Sequence, residues 1–197
     1  MSQAAQRPTM TYAAYLRAEE DSELRHEFFG GELWAMTGAT YNHALITSNL
    51  IAALHRALRD SPCRVISESA RVFFPALGEA AYPDLRVVCG GPEHHPDDTL
   101  AIVNPTLVAE VLSDGTERFD RGDKFAKYRT LPTLQAYLLV NQHVHRLELY
   151  ERNPDGTWTL SVAEAGATLT IPSLGIALAV ADAYEGVELD EKQAAPR

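Results

Sequence analysis

The sequence predicts a mixed α/β domain, and three observations lead there. Pro105-Thr-Leu-Val-Ala-Glu-Val-Leu112 is a nearly unbroken apolar run of the kind found in strands covered on both faces. Apolar residues at 45, 46, 50, 53, 54, 57 and 58 recur at helical spacing. Short β-rich segments toward the C-terminus are separated by Gly, Pro and Asn turns. The 197 residues, 46% of them hydrophobic, suit one domain with a full core. The pattern places that domain over residues 11–185, between tails at 1–10 and 186–197.

The elements follow in order. Thr11 to Glu20 predicts a short helix with Tyr12, Tyr15 and Leu16 on one side. Phe28 to Met36 reads as a β-hairpin, because Gly30-Gly31 suits a two-residue turn. A long helix runs from about Asn42 to Arg59, and Arg64 to Phe74 reads as one strand ending in a turn near Gly78. Asp84 to Cys89 is a further strand, followed by a polar loop from Gly90 to Thr99. After the apolar run, Ser113-Asp-Gly-Thr116 supplies small polar residues for a turn and a helix cap. The next helix spans about Glu117 to Arg129 and stops before Pro132. Strands are expected at Ala136–Val140, Val144–Glu151, Trp158–Val162 and Leu174–Val180.

Composition narrows the function classes. A net charge of −10 argues against a broad nucleic-acid surface, since duplex DNA carries a negative charge every ~1.7 Å of axis. Five of the 17 basic residues nevertheless fall within Glu117–Arg129, leaving 12 basic and 24 acidic residues elsewhere. No apolar stretch approaches the ~18 residues of a membrane span. Cys63 and Cys89 lack CxxC spacing, so neither a zinc knuckle nor a disulfide framework is expected, and a reduced cytoplasmic protein fits.

Within this frame Glu110 is anomalous. A strand covered on both faces offers a carboxylate no solvent, and an unpaired buried charge is strongly unfavourable. Glu110 therefore needs a metal ion, a Lys, or an ion pair with Arg86 or Arg71. Asp84 opens another apolar strand, Tyr82-Pro-Asp-Leu-Arg-Val-Val88. Asp120, Lys124 and Tyr128, spaced i, i+4, i+8, form one helical stripe that can lean over the end of the Glu110 strand. Lys124 also fits a solvated helix face, and Lys127 is the other candidate lysine. Mg²⁺ is a hard ion held by one or two carboxylates, and it activates water. His43, near the start of the long helix, is a candidate proton carrier or phosphate contact. The loop His94-His95-Pro-Asp-Asp98 has the residue types of a transition-metal site but reads more simply as a polar turn.

Four blocks, Tyr82-Pro-Asp-Leu-Arg-Val-Val, Leu107-Val-Ala-Glu-Val-Leu-Ser, Asp120-Arg-Gly-Asp-Lys-Phe-Ala-Lys-Tyr and Ala136-Tyr-Leu-Leu-Val, together resemble the Uma2 family. That family belongs to the PD-(D/E)XK restriction-endonuclease-like superfamily. The resemblance implies a restriction endonuclease-like core: a central mixed β-sheet flanked by helices, with additional antiparallel strands. It implies a Mg²⁺-dependent endonuclease (Mn²⁺ as substitute) acting on DNA, often as a homodimer. Asp84 and Glu110 become the motif acids, and the Val111 carbonyl an extra metal ligand. Lys124 becomes the catalytic lysine, with His43 and Tyr128 in support. The superfamily's usual Lys two residues after the acid is Leu112 here, so the lysine comes from the following helix. The acidic surface and displaced lysine also fit a nuclease-fold protein acting as a binding or regulatory module.

Overall fold

The computed structural model describes residues 9–36 and 38–189. Of the tail expected at residues 1–10, residues 1–8 lie outside the described residues, as does the chain from 190, while Met10 is docked, its N–H donating to the Gly31 carbonyl. Helix α1 (Tyr12–Glu20) starts where the Thr11 hydroxyl accepts the Ala14 N–H, and it buries Tyr15. Strands β1 (His26–Phe29) and β2 (Glu32–Ala35) pair through the Gly30-Gly31 turn. Both glycines have positive φ, 60° and 80°, as a tight hairpin requires. Helix α2 (Tyr41–Ala57) is capped by the Thr40 hydroxyl on the His43 N–H.

The chain then forms β3 (Cys63–Ser67), β4 (Arg71–Phe74), β5 (Glu79–Ala81), β6 (Leu85–Cys89), β7 (His94–His95), β8 (Asp98–Ile102) and β9 (Leu107–Leu112). A helical segment follows: α3 (Glu117–Phe119), a π-helical turn (Asp120–Lys124) and α4 (Phe125–Tyr128). Strands β10 (Ala136–Asn141), β11 (Arg146–Arg152), β12 (Trp158–Glu164), β13 (Thr168–Ile171) and β14 (Ile176–Ala179), then α5 (Val180–Ala183), complete it.

Two six-stranded sheets result. One has the order β2-β1-β5-β4-β8-β7, the other β12-β11-β10-β9-β6-β3, and β13 pairs with β14 apart from both. In the second sheet β9 and β10 are parallel, so they need a crossover, and the α3–π–α4 segment provides it. Every residue of β9 is buried. Leu107, Ala109 and Val111 pack with Ile46, Leu50 and Leu54 of α2. Val108 and Leu112 face the opposite way, into a core with Phe125, Tyr128, Leu131 and Tyr137. Each large apolar side chain buried this way contributes roughly 1.5–3 kcal/mol. The alternation leaves Glu110 on the Tyr128 face.

Several expectations need correction. Arg64–Phe74 is two strands in different sheets, because the chain turns at Glu68-Ser69. The supposed loop Gly90–Thr99 holds β7 and the start of β8. Its Asp98 is buried against Arg71, and among the described residues no group of three or more His, Cys, Asp or Glu side chains gathers there for a metal. The Leu174–Val180 strand is a 3-10 turn, β14 and the start of α5, and β13 was not foreseen. Thr116 makes no side-chain capping bond; its hydroxyl meets Ser113 instead. Residues 186–189 are docked rather than frayed, with Val187 on the core and the Glu188 carbonyl accepting from Asn42. Cys63 and Cys89 are disulfide-bonded. Linear spacing hid this, since antiparallel pairing of β3 with β6 sets the two cysteines directly opposite each other.

Candidate active site

The ladder between β6 and β9 places the two sequence-predicted acids. Leu85 pairs with Ala109 and Arg86 with Val108. Asp84 immediately precedes β6, next to the end of this ladder where Glu110 and Val111 follow Ala109. Asp84 is tied down there, because its Oδ2 accepts the Val111 N–H at 2.7 Å. His43, at the start of α2, reaches the same oxygen through Nε2 at 3.2 Å. The Val111 side chain itself packs in the core, while its peptide borders the site.

Lys124 enters from the π-helical turn. Its Nζ lies 2.9 Å from Glu110 Oε1, 3.0 Å from Glu27 Oε1 and 3.5 Å from Asp120 Oδ1. Tyr128, one turn on, donates from its hydroxyl to Glu110 Oε1 at 3.1 Å. Turns of π type recur at functional sites, and this one buries Asp120 and Lys124 together. Two contacts fix it from outside. Tyr137 donates its hydroxyl to the Asp120 carbonyl at 2.9 Å. Arg121 forks onto both oxygens of the buried Glu148 on β11, at 2.6 and 3.0 Å. Paired hydrogen bonds of this kind combine strength with fixed geometry.

The alternatives for Glu110 and Lys124 resolve cleanly. Arg71 is paired with Asp98, and Arg86 donates to the Ala70 carbonyl, so neither forms an ion pair with Glu110. Lys127 points elsewhere, onto Glu79 at 2.6 Å and over the Phe29 ring. Lys124 is the lysine at the acids, and it is buried rather than solvated. Glu68 is exposed on its turn.

One participant escaped the sequence reading. Glu27 sits on β1 between His26 and Phe28, and its Oε1 also accepts the Tyr82 N–H at 3.1 Å. The available signal was strand alternation, which puts Glu27 on the face of Phe29, a residue of the Tyr128 core.

Acids outnumber cations at the site, where the charge of Arg86, buried on β6, also acts on Glu110. Asp84, Glu110, Asp120 and Glu27 surround a single lysine, with His43 at the rim. Burial pushes the Glu110 carboxyl well above its ordinary range; Lys124 opposes this, while Asp120, Asp84 and Glu27 add to it. Burial works against a charged Lys124, but Glu110, Glu27 and Asp120 outweigh it and hold the ammonium protonated. Burial likewise opposes protonation of His43, yet the hydrogen bond and charge of Asp84 raise its pKa. An excess of carboxylate in little solvent attracts a cation.

Among the described residues, no group of three or more His, Cys, Asp or Glu side chains forms a ready cage for a metal ion. The donors at hand are hard oxygens, and one or two carboxylates such as Asp84 and Glu110 suit Mg²⁺, which keeps waters and phosphate oxygens as its other ligands. The residues present therefore fit the ion that the family resemblance implies. A cleft of about 590 Å³, lined by Phe29, Trp34, Phe119 and Lys127 among others, does not include Asp84, Glu110 or Lys124. No helix among the described residues is long and apolar enough to cross a membrane.

Comparison with known proteins agrees with this architecture. Residues 12–181 match the family model of Uma2, described as "Putative restriction endonuclease". An uncharacterized protein of Synechocystis sp. is 36% identical over 152 residues, covering 77% of this chain and 86% of that protein. A second from the same organism is 33% identical over 180 residues, covering 91% and 94%. The crystal structure of a "putative nuclease belonging to DUF820" from Anabaena variabilis superposes with a TM-score of 0.74, at 16% identity, over 91% of this chain and 99% of that one. That likeness establishes a shared fold. The match over residues 12–181, together with the two Synechocystis relatives, shows that the chain belongs to the Uma2 family.

Proposed function

We propose that the protein is an endonuclease that hydrolyses DNA phosphodiester bonds with the help of Mg²⁺, for which Mn²⁺ can substitute. The observation that carries this reading is the excess of carboxylate at one buried lysine, with Asp84 tied to the N–H of Val111, the residue next to Glu110. Asp84 and Glu110 would hold the ion, with the Val111 carbonyl as a further oxygen donor. When bound, the ion would polarise the phosphate and lower the pKa of water.

The chain's own residues do the rest. The Val111 N–H keeps Asp84 Oδ2 fixed, and Tyr128 fixes Glu110 Oε1, so neither acid has to be ordered when substrate arrives. Lys124, held protonated, directs N–H groups at negative charge developing on phosphate oxygens or at the attacking water. His43 Nε2 stands at the rim, where it can carry a proton away from the site. The net charge of −10 suits a local contact with DNA rather than a broad one. A homodimer would bring one such centre to each strand of a duplex. We place the protein in the cytoplasm, where the Cys63–Cys89 bridge of the structure would be open to reduction.

A second reading, a binding or regulatory module that does not cleave, is favoured by the same ring of acids, which repels phosphate unless a cation intervenes. Cleavage of plasmid and oligonucleotide DNA with Mg²⁺ or Mn²⁺ separates the two. Wild type is expected to cut. Asp84→Ala and Glu110→Ala are each expected to lose about 10³-fold, equivalent to about 4 kcal/mol of barrier. Intact DNA with wild type, or full activity in both variants, would remove the nuclease reading.

A further inference from the structure

Lys124 and a cation compete for one carboxylate. Lys124 Nζ is 2.9 Å from Glu110 Oε1, and Glu110 is an acid that the proposed metal must engage. A cation drawing charge from Glu110 weakens that pairing. Lys124 cannot simply turn to water, because it is only 6% exposed, and an unpaired buried ammonium is strongly unfavourable. It therefore needs a second anion within reach that is not itself a ligand.

Glu27 meets this need. Its Oε1 lies 3.0 Å from Lys124 Nζ, nearly as close as Glu110, whereas Asp120 is at 3.5 Å. The same oxygen accepts the Tyr82 N–H, two residues before Asp84, so Glu27 spans the approach to one acid and the lysine beside the other. Glu27 is carried by β1, in the other sheet from β9, and so is independent of the strand that Glu110 occupies.

We propose that Glu27 is a positioning residue that holds the Lys124 ammonium when a divalent cation takes Glu110, so that lysine and cation coexist in the site. The proposal rests on the metal-dependent reading given above. A glutamine at position 27 keeps an oxygen for the Tyr82 N–H but removes the charge that receives Lys124. Mn²⁺ uptake should then weaken while the fold persists.

The test is calorimetric titration of Mn²⁺ into wild type, Glu27→Gln, Glu27→Asp and Glu110→Gln, with thermal melts of each metal-free protein. Glu27→Gln is expected to bind Mn²⁺ about tenfold more weakly, a difference of about 1.4 kcal/mol. Glu27→Asp, which keeps the charge, should recover part of that loss even if Glu27→Gln melts too early to titrate. Glu110→Gln should show no saturable uptake. An unchanged or tighter Mn²⁺ affinity in Glu27→Gln, with its melting temperature lowered, would mean that Glu27 only supports the fold, and would overturn the proposal. Absence of Mn²⁺ binding by wild type would overturn it together with the reading beneath it. The wild-type titration thus tells the two failures apart.

Discussion

Two buried cations, Arg71 on β4 and Lys124 on the π-helical turn beside β9, are treated differently. In the hairpin sheet, Arg71 meets one carboxylate. Its Nη2 is 3.1 Å from Asp98 Oδ1, and Asp98 Oδ2 also accepts the Tyr12 hydroxyl at 2.7 Å. Tyr15 and Tyr82 lie about Arg71 as aromatic neighbours, so one positive charge answers one negative charge. Between β9 and the π-helical turn, Lys124 meets Glu110, Glu27 and Asp120, with Asp84 close by. A balanced pair needs nothing more. An unbalanced cluster is tolerable only if something else, a proton or a cation, supplies the missing charge. The contrast teaches that burial of a charge alone does not mark a site; surplus charge does.

The comparison can be broken most forcefully at Arg71. Arg71→Met leaves Asp98 buried without its counter-charge and is expected to lower stability by about 3–5 kcal/mol in denaturant melts. Where the variant stays folded, its Mn²⁺ affinity should match wild type within about twofold. A loss of Mn²⁺ uptake as complete as that of Glu110→Gln would show that the two clusters are one system.

The next effect comes from the Cys63–Cys89 link, which joins β3 to the end of β6 remote from Asp84. Reduction, or Cys63→Ser with Cys89→Ser, opens a bridge spanning 26 residues and should cost about 3 kcal/mol of stability. Urea melts with and without a phosphine reductant measure this. The sharpening result is unchanged DNA cleavage by the reduced protein. A large activity change on reduction would tie the site to the link.

The smallest effect is expected at Asp84. Asp84→Asn keeps an acceptor for the Val111 N–H and relieves repulsion with Glu110, but loses the His43 pairing. These oppose each other, so metal-free stability should shift by no more than about 1 kcal/mol, as for partly exposed ion pairs. Mn²⁺ uptake should nevertheless disappear. A strongly destabilised Asp84→Asn would place Asp84 with Asp98, as a structural acid.

Much of this was legible before the fold was seen. Glu110 stood out because an apolar run cannot hold a charge unanswered. The Asp120, Lys124, Tyr128 stripe followed from helical spacing, and Lys124 and Tyr128 do converge on Glu110. Glu27 and the cysteine pair were not legible. Each depends on which strand lies opposite which, and pairing partners remote in sequence leave no local trace. The π-helical winding was equally hidden, since it depends on Tyr137 and Glu148 of the neighbouring strands gripping the turn.

The sequence by itself determined most of the strands and helices through apolar periodicity, though not β7, β8 or β13, and which charged residue could not be left without a partner. Only the tertiary structure decided which charges meet. It set Asp98 rather than Glu110 against Arg71, turned Lys127 toward Glu79, and brought Glu27 to Lys124 from the other sheet. The physical reason is one of range. Backbone propensity and hydrophobic spacing act over a few neighbouring residues, whereas a buried charge is satisfied by whatever the folded chain brings within about 3–4 Å of it.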